Sequence, residues 1–263
     1  MIKSTIHFLL FCLIIISCKK EQYLKQIEGK NTDVSELISS DETIENFIKP
    51  YKARINNSLD SIIAYSPKYL SKKDLEPNSL NTAVGNFMAD AVFEMTNLKI
   101  SEYNTKPIDF VLLNHGGIRS SLPSGNLSKR TAYNLMPFEN AIVLIELTPR
   151  GIQDLLKYLS VNQRAHPISG LKLAINKKGQ IIESSINNKD IDLNKNYVVA
   201  TSDYLLNGGD KMNFFKLNKN VSSIDYKIRD ALIDYFSIKD TIAPISDNRF
   251  IYLDHLNEKT LIH

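Results

Sequence analysis

Three short stretches of the chain hold the residue types that could do chemistry, and each lies where a strand ends or a new element begins. "NHGGIRSSL" carries Asn114, Gly116, Gly117 and Arg119, "NLMPFENA" carries Phe138 and Asn140, and "TSDYLLNGGDKMNFF" carries Tyr204, Gly208, Gly209 and Asp210. Paired glycines let a backbone turn and approach another group without a Cβ in the way. A pair ending on the Asp210 carboxylate, with an aromatic just upstream, marks a loop built to come close to something. Covalent catalysis is not indicated. Ser120 and Ser121 stand beside His115, but adjacency in sequence is not the geometry of a nucleophile and its base. A solvated loop end is the plainer reading. The five histidines, His7, His115, His166, His255 and His263, fall in no D-x-H or G-N-H-E block, and His115 reads as a pocket wall or an exposed side chain. The chain is therefore assigned no catalytic residue and no metal ligand.

The elements that must position these loops follow from periodicity. "IDFVLL" (108–113) is an apolar, central strand running straight into the first loop. "AIVLIEL" (141–147) is a strand leaving the second, and "NYVVATS" is a strand leading into the third. Thr148-Pro149 opens a helix through Leu159, with threonine as N-cap and proline at the first helical position. Val84, Phe87, Met88, Ala91, Val92 and Met95 form the apolar face of another helix and read as core. "LKLAI" and "IIESSI" flank a turn at Asn176–Gly179 and form a hairpin. Ile44, Phe47, Ile48, Tyr51, Ile55, Leu59 and Ile62 follow helical spacing, with Ser39 and Glu42 as a capping box and Pro50 as a kink or a new first turn. Ile224, Ile228, Ala231, Leu232, Tyr235 and Phe236 mark a last long helix. Helices and strands mixed in irregular order give an α/β or α+β domain.

Length and composition set the frame. The 263 residues, 43% apolar and 23% charged, suit one sizeable soluble domain with a tail, since domains usually run ~100–200 residues. Lys and Arg number 32 against 29 acids, a net charge of +3, which gives no case for nucleic acid as a partner. Both cysteines, Cys12 and Cys18, lie in the first stretch, so no disulfide or cysteine metal site is expected in the body. That stretch has Lys3, an apolar run from Phe8 to Ile16, and then Ser17-Cys18. The run is too short for a comfortable membrane span and fits a signal-peptide core. Ile15-Ile16-Ser17-Cys18 resembles a bacterial lipobox. The expected division is a signal peptide over 1–17, a lipid-anchored tether over 18–40 attached through Cys18, and a folded body over 41–263 held outside the cytoplasm at a membrane surface.

Five blocks taken together, "AVGNFMADA", "LLNHGGIRSSL", "MPFENAIVLIELTPRGIQDLL", "HPISGLKLAI" and "YVVATSDYLLNGGD", resemble the C-terminal domain of the 5'-nucleotidase / UDP-sugar hydrolase family, in its order and spacing, from about Ile44 to Phe250. The resemblance implies an α+β domain of mixed α/β order, layered helix-sheet-sheet-helix. It implies that this domain binds the nucleoside part of a substrate while a separate N-terminal metallophosphatase domain with two metal ions does the hydrolysis. Carried over by position, Phe138 and Tyr204 match the two aromatics that sandwich the base, tyrosine standing where phenylalanine is common. Asp210 matches the carboxylate that accepts hydrogen bonds from ribose hydroxyls. Asn114 and Asn140 match amides near base and sugar, Arg119 matches an arginine directed at phosphate, and Gly116, Gly117, Gly208 and Gly209 allow close backbone approach. There are departures. Asn78 stands where the family commonly has another phosphate-facing arginine, and Lys211-Met212 follow Gly-Gly-Asp where glycine and an aromatic are usual. Lys211 either restores a positive charge or points into solvent.

The stretch ahead of Ile44 is too short for a metallophosphatase domain and carries none of its ligand blocks. The resemblance then implies the substrate-recognition half of a split 5'-nucleotidase in nucleotide catabolism. Such a half would be inactive alone and hold no cofactor, and divalent metals would reside in a separately encoded metallophosphatase partner. The alternatives are a lipid-anchored nucleoside- or nucleotide-binding protein without an enzyme partner, and a family remnant with a scaffolding role.

Overall fold

The computed structural model describes residues 38–102 and 106–253, together with residues 29, 31 and 33–35. The expected signal peptide, the lipidated Cys18 and most of the tether lie outside the described residues. The chain divides into a unit ending at Lys49 and a second unit, Pro50–His263, which carries everything that follows except the start of the first helix.

That first helix, α1 (Glu42–Leu59), corrects three expectations. Its N-cap is Asp41 and not Ser39: the Asp41 carboxylate accepts the Thr43 and Ile44 N–H groups at 2.9 and 3.1 Å, a better acceptor placed directly at the helix start. The helical spacing gives a helix but not a buried face, because no residue of α1 is buried and Ile44, Phe47, Tyr51 and Ile55 are exposed. Ile62 leaves the pattern altogether and opens strand β1 (Ile62–Ser66).

The body has six helices and three sheets among the described residues, in mixed order. After β1 come α2 (Ala83–Ser101), β2 (Phe110–Leu112), β3 (Gly125–Ser128), α3 (Lys129–Leu135), β4 (Ala141–Leu147) and α4 (Pro149–Asn162). Then follow β5 (Ile168–Ser169), β6 (Leu171–Ile175), β7 (Ile181–Ile186), β8 (Lys189–Asp190), β9 (Tyr197–Ser202), α5 (Asp203–Leu206), β10 (Asn218–Lys227), α6 (Ile228–Ile238) and β11 (Phe250–Tyr252). The last helix is shorter than its apolar spacing predicts: Ile224 belongs to β10, and α6 begins at Ile228. Thr148 caps α4 as expected, its hydroxyl accepting the Gly151 N–H at 3.2 Å.

The five-stranded sheet, in the order β10-β4-β9-β2-β5, is the centre of the fold. Alternate residues of its strands face two separate cores, the mark of a sheet covered on both sides. Val111, Ile142, Leu144 and Ala200 pack against α2, α3 and α6. Phe110, Leu112, Val143, Ile145 and Val199 pack against α4 and the second sheet, β11-β6-β7-β8. The third sheet is the β1–β3 pair.

One point of topology sets up the site. β2 runs parallel to β9, and β9 pairs antiparallel to β4 with Ile142 opposite Ser202. The carboxyl ends of β2 and β9 and the amino end of β4 therefore lie together at one end of three adjacent strands. The three loops singled out in the sequence grow from those three ends.

Candidate functional site

Beyond β9 the Ser202 hydroxyl accepts the Leu205 N–H at 3.2 Å and caps the single turn of α5. Tyr204 is presented from this turn, 44% exposed. The chain then passes through Gly208 at φ 93°, a left-handed conformation that glycine adopts freely. Gly209 follows, and its missing Cβ has a definite use: a Cβ there would sit 2.4 Å from Cε1 and Cζ of Tyr204. The ring lies directly on the glycine. Asp210 (φ 49°) and Lys211 (φ 62°) complete the turn in left-handed conformations that cost a non-glycine residue energy. Asp210 is held there by Tyr204, whose hydroxyl donates to Oδ1 at 3.1 Å and accepts the Asp210 N–H at 3.3 Å. Tyr158, from α4, donates to the Asp210 carbonyl at 2.8 Å.

The loop after β2 meets this turn. Asp210 Oδ2 lies 3.8 Å from where a Cβ on Gly116 would be, and the Asn114 amide packs against both Gly116 and Gly117. Arg119 turns back to donate to the Gly116 carbonyl at 3.4 Å and sets its guanidinium 5.6 Å from the centre of the Phe138 ring. The loop before β4 closes the arrangement: the Asn140 amide donates to Asp203 Oδ1 at 3.0 Å, and the same oxygen accepts the Tyr204 N–H at 2.7 Å. Phe138, Asn140, Asp203, Tyr204, Asp210, Gly116 and Arg119 thus lie together as neighbours drawn from three loops. Phe138 and Tyr204 are both exposed, and among the described residues their rings make no contact with each other. Two exposed aromatics held at fixed positions beside a carboxylate and an arginine can offer stacking faces, an acceptor and a bidentate cation to one ligand.

The support under Phe138 escaped the sequence reading. Arg229, 4% exposed at the start of α6, donates to the Pro137 and Phe138 carbonyls at 3.4 Å each and to the Glu139 carboxylate. Its guanidinium sits 4.1 Å from the centre of the Tyr133 ring. Lys227 also donates to Glu139, and the Lys227 and Arg229 bonds together lower the Glu139 carboxyl to about 2. Lys72 was missed as well. It donates to the Ile118 carbonyl at 2.5 Å. Burial first, then the charges of Arg119 and Arg164, lower its pKa. A lysine in a polar loop gives no signal in a single sequence that it will arrive beside Arg119. Asn78 lies elsewhere, its carbonyl accepting the Tyr252 N–H at 2.8 Å beside β11. Met212 is fully buried in the second core, taking the place of an aromatic, while Lys211 is exposed.

His115 and His166 form a pair behind the first loop. The His115 N–H donates to His166 Nδ1 at 3.1 Å, and the His115 ring nitrogen Nδ1 lies 3.0 Å from the Ala165 carbonyl. Ser121 accepts from the Tyr69 hydroxyl at 2.8 Å, and among the described residues neither Ser120 nor Ser121 is hydrogen-bonded to a histidine. No cluster of three or more metal-ligating side chains occurs among the described residues, and no helix among them is long and apolar enough to cross a membrane. A wider groove of about 930 Å³ runs along β6, β7 and β8 beside α4, but none of the three loops reaches it.

The family model for the 5'-nucleotidase C-terminal domain matches residues 63–217. An apyrase of Tabanus yao is 28% identical over 72% of the chain and 37% of its own length. A 5'-nucleotidase of Vibrio parahaemolyticus is 22% identical over 85% of the chain and 38% of its own length. A Listeria monocytogenes relative, 27% identical over 66% of the chain, is named a cell wall protein. Among solved structures, the 5'-nucleotidase precursor of Thermus thermophilus superposes with a TM-score of 0.63 at 21% identity, covering 81% of this chain and 43% of that one. The Haemophilus influenzae NAD nucleotidase gives 0.61 at 18% identity, covering 81% and 42%. At these identities the superpositions speak for the fold. The chain spans less than half the length of each of these relatives.

Proposed function

The chain belongs to the 5'-nucleotidase C-terminal domain family, and from that premise we propose that it binds a nucleoside or nucleotide at the three-loop site and acts as the recognition half of a 5'-nucleotidase. In this reading Phe138 and Tyr204 stack on the base, the Asp210 carboxylate accepts from the sugar hydroxyls, and Arg119, joined by Lys72, faces the phosphate. Asn114 and Asn140 line the space between. Gly116, Gly117, Gly208 and Gly209 keep the two loops thin enough for these side chains to pack. Metal-dependent hydrolysis belongs to a separate metallophosphatase, and the chain is held outside the cytoplasm by a lipid on Cys18.

The observation that carries the reading is the convergence of the three loops. Residues 119, 138, 204 and 210, far apart in sequence, are brought together: hydrogen bonds run from Asn140 through Asp203 to Tyr204 and on to Asp210, and Arg119 reaches both the Phe138 ring and the Gly116 carbonyl, near which the Asp210 carboxylate lies, yet both rings remain open to solvent. Core aromatics beside structural glycines would be buried. Stacking contributes ~1–3 kcal/mol per base and tolerates different bases. Calorimetry with adenosine on the full chain tests it. Phe138→Ala and Tyr204→Ala should each weaken binding about tenfold or more, within the range expected for a lost stack. Wild-type affinity in both variants would move the nucleoside away from these rings.

A further inference from the structure

Behind Asp210 lies a second recess that the nucleoside reading does not use. It has a volume of about 350 Å³ and is lined by Tyr158, Asn162, Arg164, His166, Asp210 and Lys211. Asp210 is shared between the two places: its carboxylate is turned to Tyr204 and Gly116, and its backbone carbonyl to Tyr158 on the recess wall.

The wall is rich in donors. Arg164 and Lys211 are exposed, and neither forms an ion pair among the described residues. His166 adds a neutral ring to the wall. Its Nδ1 is occupied as an acceptor by the His115 N–H, which places the proton of the neutral ring on Nε2. That nitrogen is buried and has no hydrogen-bond partner among the described residues, in a side chain only 2% exposed. Burial lowers the ring to about 4, so it is neutral at physiological pH. Tyr158 and Asn162 spend donors on the Asp210 and Tyr158 carbonyls. Among the described residues the two cations are left without a protein acceptor. Lys211, moreover, is kept at φ 62°, where glycine would be free of strain. Strained positions of this kind cluster at functional sites.

We propose that this recess is an anion pocket that takes a phosphate group, and, resting on the nucleoside reading above, that the phosphate is one borne on the 2' or 3' oxygen of the sugar. The chemistry follows from Asp210. A sugar whose hydroxyls reach its carboxylate has those oxygens at the edge of the recess. Arg164 supplies a flat fork of donors for phosphate oxygens and Lys211 a point charge.

Calorimetry on the full chain with adenosine, adenosine 3'-monophosphate and inorganic phosphate decides between outcomes. The 3'-phosphate should bind roughly tenfold or more tightly than adenosine, as charge-assisted hydrogen bonds to phosphate require. Arg164→Met and Lys211→Gly should each remove most of that gain and leave adenosine binding unchanged. Both side chains are exposed, and the glycine also relieves the left-handed backbone, so folding is not at stake. A 3'-phosphate that binds no better than adenosine, or a gain that survives both substitutions, overturns the proposal. If adenosine itself does not bind, the nucleoside reading fails and inorganic phosphate judges the recess alone. Phosphate binding lost in both variants upholds an anion pocket; no phosphate binding by the wild type overturns that too.

Discussion

Gly209→Ala should damage nucleoside binding without touching the nucleoside. A Cβ at position 209 would fall 2.4 Å from Cε1 and Cζ and 2.6 Å from Cδ1 of Tyr204, distances no carbon pair sustains, so the ring must leave. It can leave cheaply, because it is 44% exposed and swings toward solvent and not into the core. The fold then loses the two exposed hydrogen bonds between Tyr204 and Asp210, about 1 kcal/mol in all at the low end for such bonds. Ligand binding loses a stacking face, ~1–3 kcal/mol, so the dissociation constant should rise roughly tenfold while the melting temperature falls only a few degrees. The informative measurement is a cycle with Tyr204→Ala in adenosine calorimetry. If the glycine acts only by making room for the ring, Tyr204→Ala/Gly209→Ala binds no worse than Tyr204→Ala alone, since the two changes remove the same contact. Additive losses would mean that the Gly209 backbone meets the ligand directly. Unchanged binding in Gly209→Ala would refute the stacking role of Tyr204.

Two further predictions concern the supports. His166 titrates from 6.5 in the unfolded chain to about 4 in the fold, through burial; its folded pKa is depressed, so its full contribution is present above about pH 6.5 and is lost as pH falls toward 4, a swing of roughly 3 kcal/mol. Urea denaturation between pH 7 and 4 should show that slope and a shallower one in His166→Asn; equal slopes would show that another group governs the acid limb. Arg229→Lys keeps the charge but loses the fork that holds the Pro137 and Phe138 carbonyls, so adenosine binding should weaken by about 1 kcal/mol, less than in Phe138→Ala, and wild-type affinity would show that the Phe138 loop stands without it.

What the sequence reveals here is what short segments decide for themselves. β4 and the Thr148-Pro149 start of α4 are legible because a short continuous apolar run and a cap-plus-proline pair are local signals. The face of α2 is legible because its apolar spacing coincides with burial, whereas the same spacing in α1 produces a helix that buries nothing. β10 leaves little trace: it lies at the sheet edge with mostly exposed residues, so its pattern carries little apolar alternation. The ligand-facing residues stand out by type and through family resemblance. Lys72, Tyr158, Arg164 and Arg229 reach the same place from distant loops and helices, and only tertiary packing brings them there. The paired glycines were legible as a sign of close approach, but the approaching groups that the structure identifies are the protein's own Tyr204 ring and Asn114 amide.

The edge strand β10 has a consequence for crowding. A ten-residue edge in a five-stranded sheet offers unpaired backbone groups to any neighbouring chain. This one is blunted along its length: its register against β4 breaks between Asn218 and Asn220 and again between Ser223 and Lys227, Asp225 takes a left-handed turn at φ 46°, and Lys219, Asp225 and Lys227 place charges along it. Another copy meeting that edge finds neither a straight ladder nor an uncharged one. Molecules packed side by side at high local concentration can therefore collide edge to edge without extending one sheet into the next.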